Sequence, residues 1–243
     1  MTSIGCGDLN KLLEKEYIMN TTIQNKRARV AGLAYLLIVI VPLLSMLFID
    51  SRISVKDDLA ATINNILANE LLFRIDLVIT LSMFIGVIVL SVLLYEVLKP
   101  VNPYLARVAL FIRFSEAIIG LVAVLSSFIF LLFLKGESNS EVFASEQFLV
   151  LARLFKGVYW EATIIVFVLL AIGSIICFYL FYISKIIPKA LSISGMISYA
   201  LVLIGALISL VFSGNAFMIL GSQTILFEIV IGCWLLFKGL KYK

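Results

Sequence analysis

Long runs of apolar residues, separated by short polar stretches, are the dominant pattern of the chain. A helix rises about 1.5 Å per residue, so about 20 apolar residues cross a hydrocarbon layer about 30 Å thick. Six runs are long enough, at about residues 30–48, 77–98, 108–134, 162–183, 190–212 and 217–237. They are too long for the strands of a membrane barrel, and lipid offers a non-helical backbone no hydrogen-bond partners. The pattern therefore predicts an all-α, polytopic membrane bundle of six transmembrane helices.

Two long connecting segments contain apolar residues at helical spacing. The first follows a candidate cap at Ser54, with Asp57 placed to complete a capping box, and contains Leu59, Ile63, Ile66, Leu67 and Leu71. The second leads into Trp160 and contains Phe148, Ala152, Phe155 and Tyr159. We expect two short amphipathic helices in the outer loops, which either shield the ends of the bundle or cap an outward-facing cavity.

The other connections are short and contain proline. Pro100 and Pro103 stand in KPVNPYLAR and Pro188 in SKIIPKAL, where each is expected to end a helix. Short turns place consecutive helices side by side, so spans two and three, and spans four and five, are predicted to form hairpins.

The polar N-terminal segment is distinct from the rest of the chain. We predict a weakly ordered cytoplasmic leader over residues 1–28, with Met1 and Met19 as alternative starts, and a single transmembrane domain over residues 29–243. The exit of the first span, LFIDSRIS, lacks the small residues of a signal-peptidase site, so this span is expected to remain as an anchor.

Composition and charge fit a membrane location. Hydrophobic residues make up 63% of the chain and charged residues 14%, against about 25% charged in soluble domains. When the connecting segments are sorted into two alternating sets, lysine and arginine number twelve in the set with both termini and six in the other. Positive residues favour the cytoplasmic side, which predicts both termini in the cytoplasm. The sequence has no basic stripe of the kind that binds nucleic acid, so nucleic acid is not an expected partner.

Several kinds of chemistry are missing from the sequence. The chain has no histidine and no GxxxxGK[ST] motif, which argues against a serine triad, histidine-bound metal or haem, and a phosphate-binding loop. Cys6, Cys177 and Cys233 are odd in number and far apart, which argues against disulfides and a cysteine metal site. We therefore expect no enzyme activity, no cofactor and no metal.

Charged residues inside the apolar runs are the candidate functional site. A charge within a span costs at least about 2.5 kcal/mol, so each is expected to have a partner. Glu228 lies near the middle of the last span, and Arg113 and Glu116 lie on one face of the third. Arg113 could pair with either glutamate, and Glu96 lies near the cytoplasmic end of the second span, across the hairpin loop from the same region. We predict an intramembrane cluster of Glu96, Arg113, Glu116 and Glu228.

The cluster has two interpretations. Three carboxylates around one arginine leave a proton to be held or exchanged, as in proton-coupled carriers. Alternatively, the four residues only lock the helices together through hydrogen bonds.

Six stretches carry a family resemblance. RARVAGLAYLL, ILANELLFRIDL, LLYEVLKPVN, LARVALFIRFSEAIIG, FYISKIIPKALSISG and FEIVIGCWLLFKG, in this order, resemble the bacterial membrane-protein family called domain of unknown function 4386. The resemblance runs from about Arg29 to Gly239 and is weakest at LFKGVYWEATIIVF, which lacks the histidine expected there. It implies a six-helix inner-membrane protein without an established activity. Besides Arg113 and Glu228, the family-like positions are Arg74, Lys99, Pro100, Asn102, Pro188, Trp234 and Lys238.

We therefore expect a multi-pass protein of a bacterial inner membrane. Its leading function is a small-molecule or proton-linked carrier or binding bundle with a polar cluster in its inner half. The alternative is a structural, sensory or regulatory membrane protein that acts through partner proteins. Expected partners are the lipid bilayer and either a second copy of the chain or another membrane protein.

Overall fold

The helices of the protein were assigned in a computed structural model. It describes residues 6–56, 58–137, 145–212 and 214–240, with side chains for residues 21–56, 58–136, 147–212 and 214–240. The predicted capping residue Asp57 lies outside the described residues. The α-helices are α1 (Cys6–Ser45), α2 (Ser51–Ile53), α3 (Leu59–Ala68), α4 (Glu70–Leu98), α5 (Pro103–Glu137), α6 (Ser145–Ser184), α7 (Lys189–Phe212) and α8 (Ala216–Phe237).

Six of these helices are long and apolar enough to cross a membrane, as predicted. They include the segments Thr21–Ile53, Glu70–Leu98, Pro103–Gly136, Gln147–Ser184, Lys189–Phe212 and Ala216–Phe237. The described residues contain no strand. The all-helical fold class and the six spans are therefore confirmed.

The six spans form a closed ring in chain order. Each of α4, α5, α6, α7 and α8 packs against its neighbours in sequence, and α1 closes the ring between α4 and α8. The predicted hairpins α4–α5 and α6–α7 are therefore present. The connections are tight: Asn102 Oδ1 accepts a hydrogen bond of 3.0 Å from the N–H of Leu105 in the first turn of α5, and Lys185 adopts a left-handed φ of 58° just before Pro188.

Only one of the two amphipathic segments is a separate helix. α3 is the first of them, but its N-cap is Asp58 and not Ser54, because the Asp58 carboxylate accepts a hydrogen bond of 2.8 Å from the N–H of Ala61. The second segment is part of α6, which runs unbroken over 40 residues. The prediction of a second short helix was wrong, because no proline lies between Phe148 and Trp160 and the helix continues through Gly157.

The two ends of the bundle differ in what they contain. At one end, Asn25 Oδ1 accepts a hydrogen bond of 2.7 Å from the N–H of Leu240, so residues next to both termini meet. We call this the terminal end. At the opposite, distal end lie α2, α3 and the start of α4. The last residues of the predicted leader belong to the bundle, since Ala28 is buried and the backbone is helical from Cys6 onward.

One helix contact depends on glycine. A Cβ atom on Gly32 in α1 would lie 2.5 Å from the backbone nitrogen of Leu236 and 2.6 Å from the carbonyl oxygen of Gly232, both in α8. The two backbones therefore touch, as small residues allow in membrane helices. This contact closes the ring between the first and last spans.

Candidate functional site

Arg113 and Glu116 form a buried ion pair on α5. The Nη1 atom of Arg113 lies 2.8 Å from Oε2 of Glu116, and the two side chains are 5% and 3% exposed. The spacing of three residues places both on one helical face, as predicted. Of the two partners considered for Arg113, the structure therefore selects Glu116.

α6 is shaped around the arginine. A Cβ atom on Gly173 would come within 2.8 Å of Cγ and 2.9 Å of Cδ of Arg113. Glycine at this position leaves the space that the aliphatic part of the arginine side chain occupies. The ion pair is therefore enclosed by a neighbouring helix and does not face lipid.

Glu228 is bound by a tyrosine from the adjacent helix. The hydroxyl of Tyr199 on α7 donates a hydrogen bond of 2.6 Å to Oε1 of Glu228 on α8. The Tyr199 ring is fully buried, stacked on Phe178 at 5.7 Å and edge-on to Phe227 at 6.1 Å. Aromatic packing thus fixes the direction in which the hydroxyl points. The sequence analysis did not single out Tyr199.

The ion pair and the Glu228 carboxyl belong to one polar centre. Arg113 lies within electrostatic range of Glu228. Tyr35, Tyr199 and Cys177 lie within the same range of the Arg113 guanidinium. A cavity of about 10 Å³ beside Arg113, Tyr95 and Cys177 has room for about one water molecule. This cavity therefore holds no more than about one water molecule beside the ion pair.

Glu96 is placed outside this centre. Its carboxylate lies 2.8 Å from Nη1 of Arg27 and 2.8 Å from Nζ of Lys99, close to the terminal end. The helical extension of the leader brings Arg27 there, a contact that the sequence analysis did not foresee. The structure therefore brings together three of the four predicted cluster residues and gives the fourth other partners.

The family-like positions mostly stabilise helix ends. Lys238 lies over the ring of Trp234 at 4.8 Å, and Lys99 pairs with Glu96. Pro100, Asn102 and Pro188 lie in the turns of the terminal end, where Asn102 caps α5. Arg74 pairs with Glu70 at the distal end, at 2.7 Å.

A larger cavity lies in the distal half of the bundle, for which the sequence analysis named no ligand-binding residues. Its volume is about 160 Å³, and its wall is formed by the turn Met46–Asp50 after α1 and by α2, α3, α4, α5 and α6. Much of the wall is apolar and aromatic, with Phe73, Phe130, Phe155 and Leu77. The apolar face of α3 forms part of the wall through Leu59 and Ile66. α3 therefore lies at a cavity, as one of its two predicted roles requires, and whether that cavity faces outward stays a prediction.

Charged side chains from three spans reach the distal cavity. Asp50 in the turn that follows α1, Asp76 in α4 and Lys156 in α6 all line it. The hydroxyl of Ser45 donates a hydrogen bond of 2.6 Å to Oδ1 of Asp76. Asp50 interacts electrostatically with both Asp76 and Lys156, so the three groups lie close together. In the described part of the chain, neither carboxylate has a salt bridge within 4.0 Å to Lys156.

A change of helix type places Asp50 in the wall of this cavity. α1 contains Pro42, and from Met46 to Asp50 the chain is a π-helix before it resumes as α2. A π-helical turn widens the helix and shifts the following side chains, and such turns are frequent at functional sites. The described residues hold no group of three or more Asp, Glu, Cys or His side chains placed to bind a metal ion.

The chain matches the model of one protein family. The family model described as domain of unknown function, DUF4386, matches residues 30–239, which is most of the chain. The chain belongs to the DUF4386 family. No curated protein and no solved structure matches it. The DUF4386 match begins in α1 and ends just after α8, so the polar centre and the distal cavity both lie within the DUF4386 domain.

Proposed function

We propose that this DUF4386 protein is a small-molecule carrier or binding bundle of a bacterial inner membrane. In this proposal the distal cavity holds the ligand and Glu228 holds a proton. The cavity of about 160 Å³, with charged groups from three spans, is the observation that carries the proposal. Protein interiors are close-packed, and ligand sites are commonly apolar pockets with a few convergent polar groups.

The size of the cavity limits the ligand. An engineered cavity of about 150 Å³ is large enough to hold benzene, whereas drug-sized pockets have about 300–1,000 Å³. A volume of about 160 Å³ therefore suits a molecule of roughly one aromatic ring. This supports a small metabolite as the ligand and disfavours a lipid tail or a peptide.

The polar centre supports a proton site. Glu116 has its own cation in Arg113, whereas the bond that holds Glu228 comes from a neutral hydroxyl. An ionised carboxylate within a span costs at least about 2.5 kcal/mol, and a proton removes that cost. Glu228 is therefore the carboxyl that we assign to proton binding.

Location and partners follow from the charge distribution. The excess of lysine and arginine at the terminal end supports cytoplasmic termini, and the distal cavity then faces the outside. The lipid bilayer is the first partner, and a second copy or another membrane protein is a further one. The absence of histidine from the sequence supports a role without catalysis or a cofactor.

A cavity-filling variant tests ligand binding. Thr80 lines the cavity on α4, and Ser82 is exposed two residues later. We expect a small-metabolite extract of bacterial culture to raise the melting temperature of the purified wild-type protein and of Ser82→Phe, but not of Thr80→Phe. Absence of a shift in wild type, or an equal shift in Thr80→Phe, would contradict a ligand site in the cavity.

A second experiment tests the proton site. Wild-type protein and Glu228→Gln are reconstituted into vesicles that contain a pH-sensitive dye, and the same extract is added outside. Proton movement is expected with the wild type only, while Glu228→Gln keeps the shift in melting temperature. Proton movement at the wild-type rate in Glu228→Gln would remove Glu228 from the mechanism.

The tight polar centre favours a second candidate, a regulatory or structural membrane protein. The Arg113–Glu116 pair is buried, and the cavity next to it has space for about one water molecule. Such a tightly packed ion pair suits a structural role in which it holds neighbouring helices together. Purification from the native membrane discriminates between the two functions. A stoichiometric partner protein together with no response to the extract would favour this candidate.

A further inference from the structure

The charges of the distal cavity indicate what kind of molecule it holds. Two carboxylates, of Asp50 and Asp76, and one ammonium group, of Lys156, give the wall a formal net charge of −1. An anionic ligand would add to the repulsion between the two carboxylates. A ligand with one positive charge would balance the cavity.

Neither of the two carboxylates is paired with a cation in the described part of the chain, so both are available to a ligand. Lys156 lies within electrostatic range of Asp50 but not within salt-bridge distance of either carboxylate, among the side chains that the structure describes. Asp76 accepts a hydrogen bond from the neutral Ser45 hydroxyl, which leaves its charge uncompensated. Carboxylates without a paired cation favour a cationic ligand.

The aromatic wall adds a second preference. Phe73, Phe155 and Tyr159 line the same cavity, and Tyr159 lies within electrostatic range of both Asp50 and Asp76. Aromatic faces attract ammonium groups, and cages of aromatic residues recognise quaternary ammonium ligands. The apolar side chains around them suit a compact hydrocarbon body.

We infer that the distal cavity binds a small organic cation, an ammonium ion with an apolar body of about one ring or its equivalent. This inference rests on the proposed function, since it names the ligand class of the same cavity. The ammonium group lies between Asp50 and Asp76 near Tyr159, and the apolar body lies against Phe73 and Phe155. The ammonium ion comes from a free amine or from the headgroup of a choline or ethanolamine lipid.

Thiol labelling from the aqueous phase tests the inference. Ser127 lines the cavity on α5, and Ser127→Cys is nearly isosteric. The variant is made in a background with Cys6→Ser, Cys177→Ala and Cys233→Ser and placed in vesicles of phosphatidylglycerol alone. Two methanethiosulfonate reagents are compared, one with a trimethylammonium group and one with a sulfonate. Each rate is normalised to the rate of the same reagent with Lys56→Cys, an exposed site outside the cavity wall, in the same vesicles, which removes the effect of the anionic lipid surface.

The expected result is a preference for the cationic reagent. One net negative charge at the site predicts a rate ratio of about tenfold or more in favour of the trimethylammonium reagent. Asp50→Asn and Asp76→Asn are each expected to reduce the ratio at least about threefold. Glu161→Gln, which removes an exposed carboxylate on α6 outside the cavity wall, is expected to leave it unchanged.

Competition identifies the source of the cation. Benzyltrimethylammonium is expected to slow labelling of Ser127→Cys in vesicles of phosphatidylglycerol, and benzenesulfonate is not. If the natural ligand is a headgroup, adding phosphatidylethanolamine to the vesicles slows labelling without a soluble amine. If it is a free amine, the added lipid has no effect.

The failures of the two proposals are distinguishable. If neither reagent labels Ser127→Cys although the protein is folded, the cavity is closed and the proposed function fails with it. If both reagents react at equal normalised rates, or the sulfonate reacts faster, the cavity is open but the cation inference is overturned. If labelling prefers the cationic reagent and benzyltrimethylammonium does not compete, the attraction is electrostatic only and the inferred binding site is rejected.

Discussion

The hydroxyl of Tyr199 lies 2.6 Å from Oε1 of Glu228, and this hydrogen bond joins α7 to α8 inside the ring of helices. The carboxyl group is thereby held against a fully buried phenol and close to Arg113. Neither residue alone indicates this arrangement in the sequence, because 29 positions separate them.

Removal of the Tyr199 hydroxyl is expected to destabilise the bundle. Tyr199→Phe keeps the stacking on Phe178 but leaves Glu228 without its donor, at a cost of about 1–3 kcal/mol in unfolding free energy. Equilibrium unfolding in mixed micelles measures the loss. In combination with Glu228→Gln, the double-mutant cycle should give a coupling of about 1 kcal/mol. Additive effects would show that the bond carries no energy.

The Arg113–Glu116 pair is expected to be sensitive to the loss of either partner. Arg113→Met or Glu116→Leu alone leaves a buried charge unpaired, which costs about 3–5 kcal/mol. The double replacement removes both charges and is expected to unfold at a denaturant concentration closer to wild type than either single variant. Arg74→Met, at the exposed pair with Glu70, serves as a control and should change stability little. A double variant as unstable as the sum of the singles would contradict this account.

The sequence was sufficient for the membrane architecture and for part of the polar centre. Apolar length and helical rise predict the spans, and the spacing of Arg113 and Glu116 predicts a pair on one face, which the structure confirms. Glu96 was assigned to the centre from its depth alone. Its real partner Arg27 lies in the leader, 69 positions earlier in numbering, and no periodicity connects the two.

The distal cavity was beyond prediction for a related reason. Asp50 and Asp76 lie near the ends of apolar runs, where charges normally face water, so neither carries a signal by itself. Lys156 lies in the stretch that we expected to be a separate surface helix, where the family resemblance is weakest. Only the unbroken α6 and the π-helical turn in the first span bring these three residues to one cavity.

Gly32 is expected to tolerate no larger side chain. Gly32→Ala places a methyl group against the backbone of α8, where neither backbone can move aside cheaply, and should lower stability by several kcal/mol. Gly157→Ala is the matched control, because a Cβ at Gly157 meets nothing within 4 Å and alanine favours the helix by about 1 kcal/mol. Thermal unfolding in detergent measures both variants. An equal response would argue against the close contact of α1 and α8.

The N-cap of α3 is expected to control the lid of the distal cavity. Asp58→Ala removes the acceptor for the N–H of Ala61 and should weaken α3 by about 1 kcal/mol. Faster hydrogen exchange over Leu59–Ala68, with unchanged exchange in α7, is the expected result. Asp58→Asn, which retains a capping oxygen, should exchange close to the wild-type rate. Uniformly faster exchange across both helices would indicate a global loss of stability and contradict a local cap.

Labelling of introduced cysteines is expected to place both termini on the cytoplasmic side. Lys26 and Lys238 are exposed at the terminal end, where Asn25 contacts Leu240, and Arg52 is exposed at the distal end. In intact cells, and in the background without native cysteines, an impermeant maleimide should react with Arg52→Cys but reach Lys26→Cys and Lys238→Cys only after permeabilisation. The physical reason is the surplus of lysine and arginine at the terminal end, which resists translocation. The reverse pattern would invert the orientation and direct the distal cavity to the cytoplasm, whereas different sides for Lys26→Cys and Lys238→Cys would contradict six crossings.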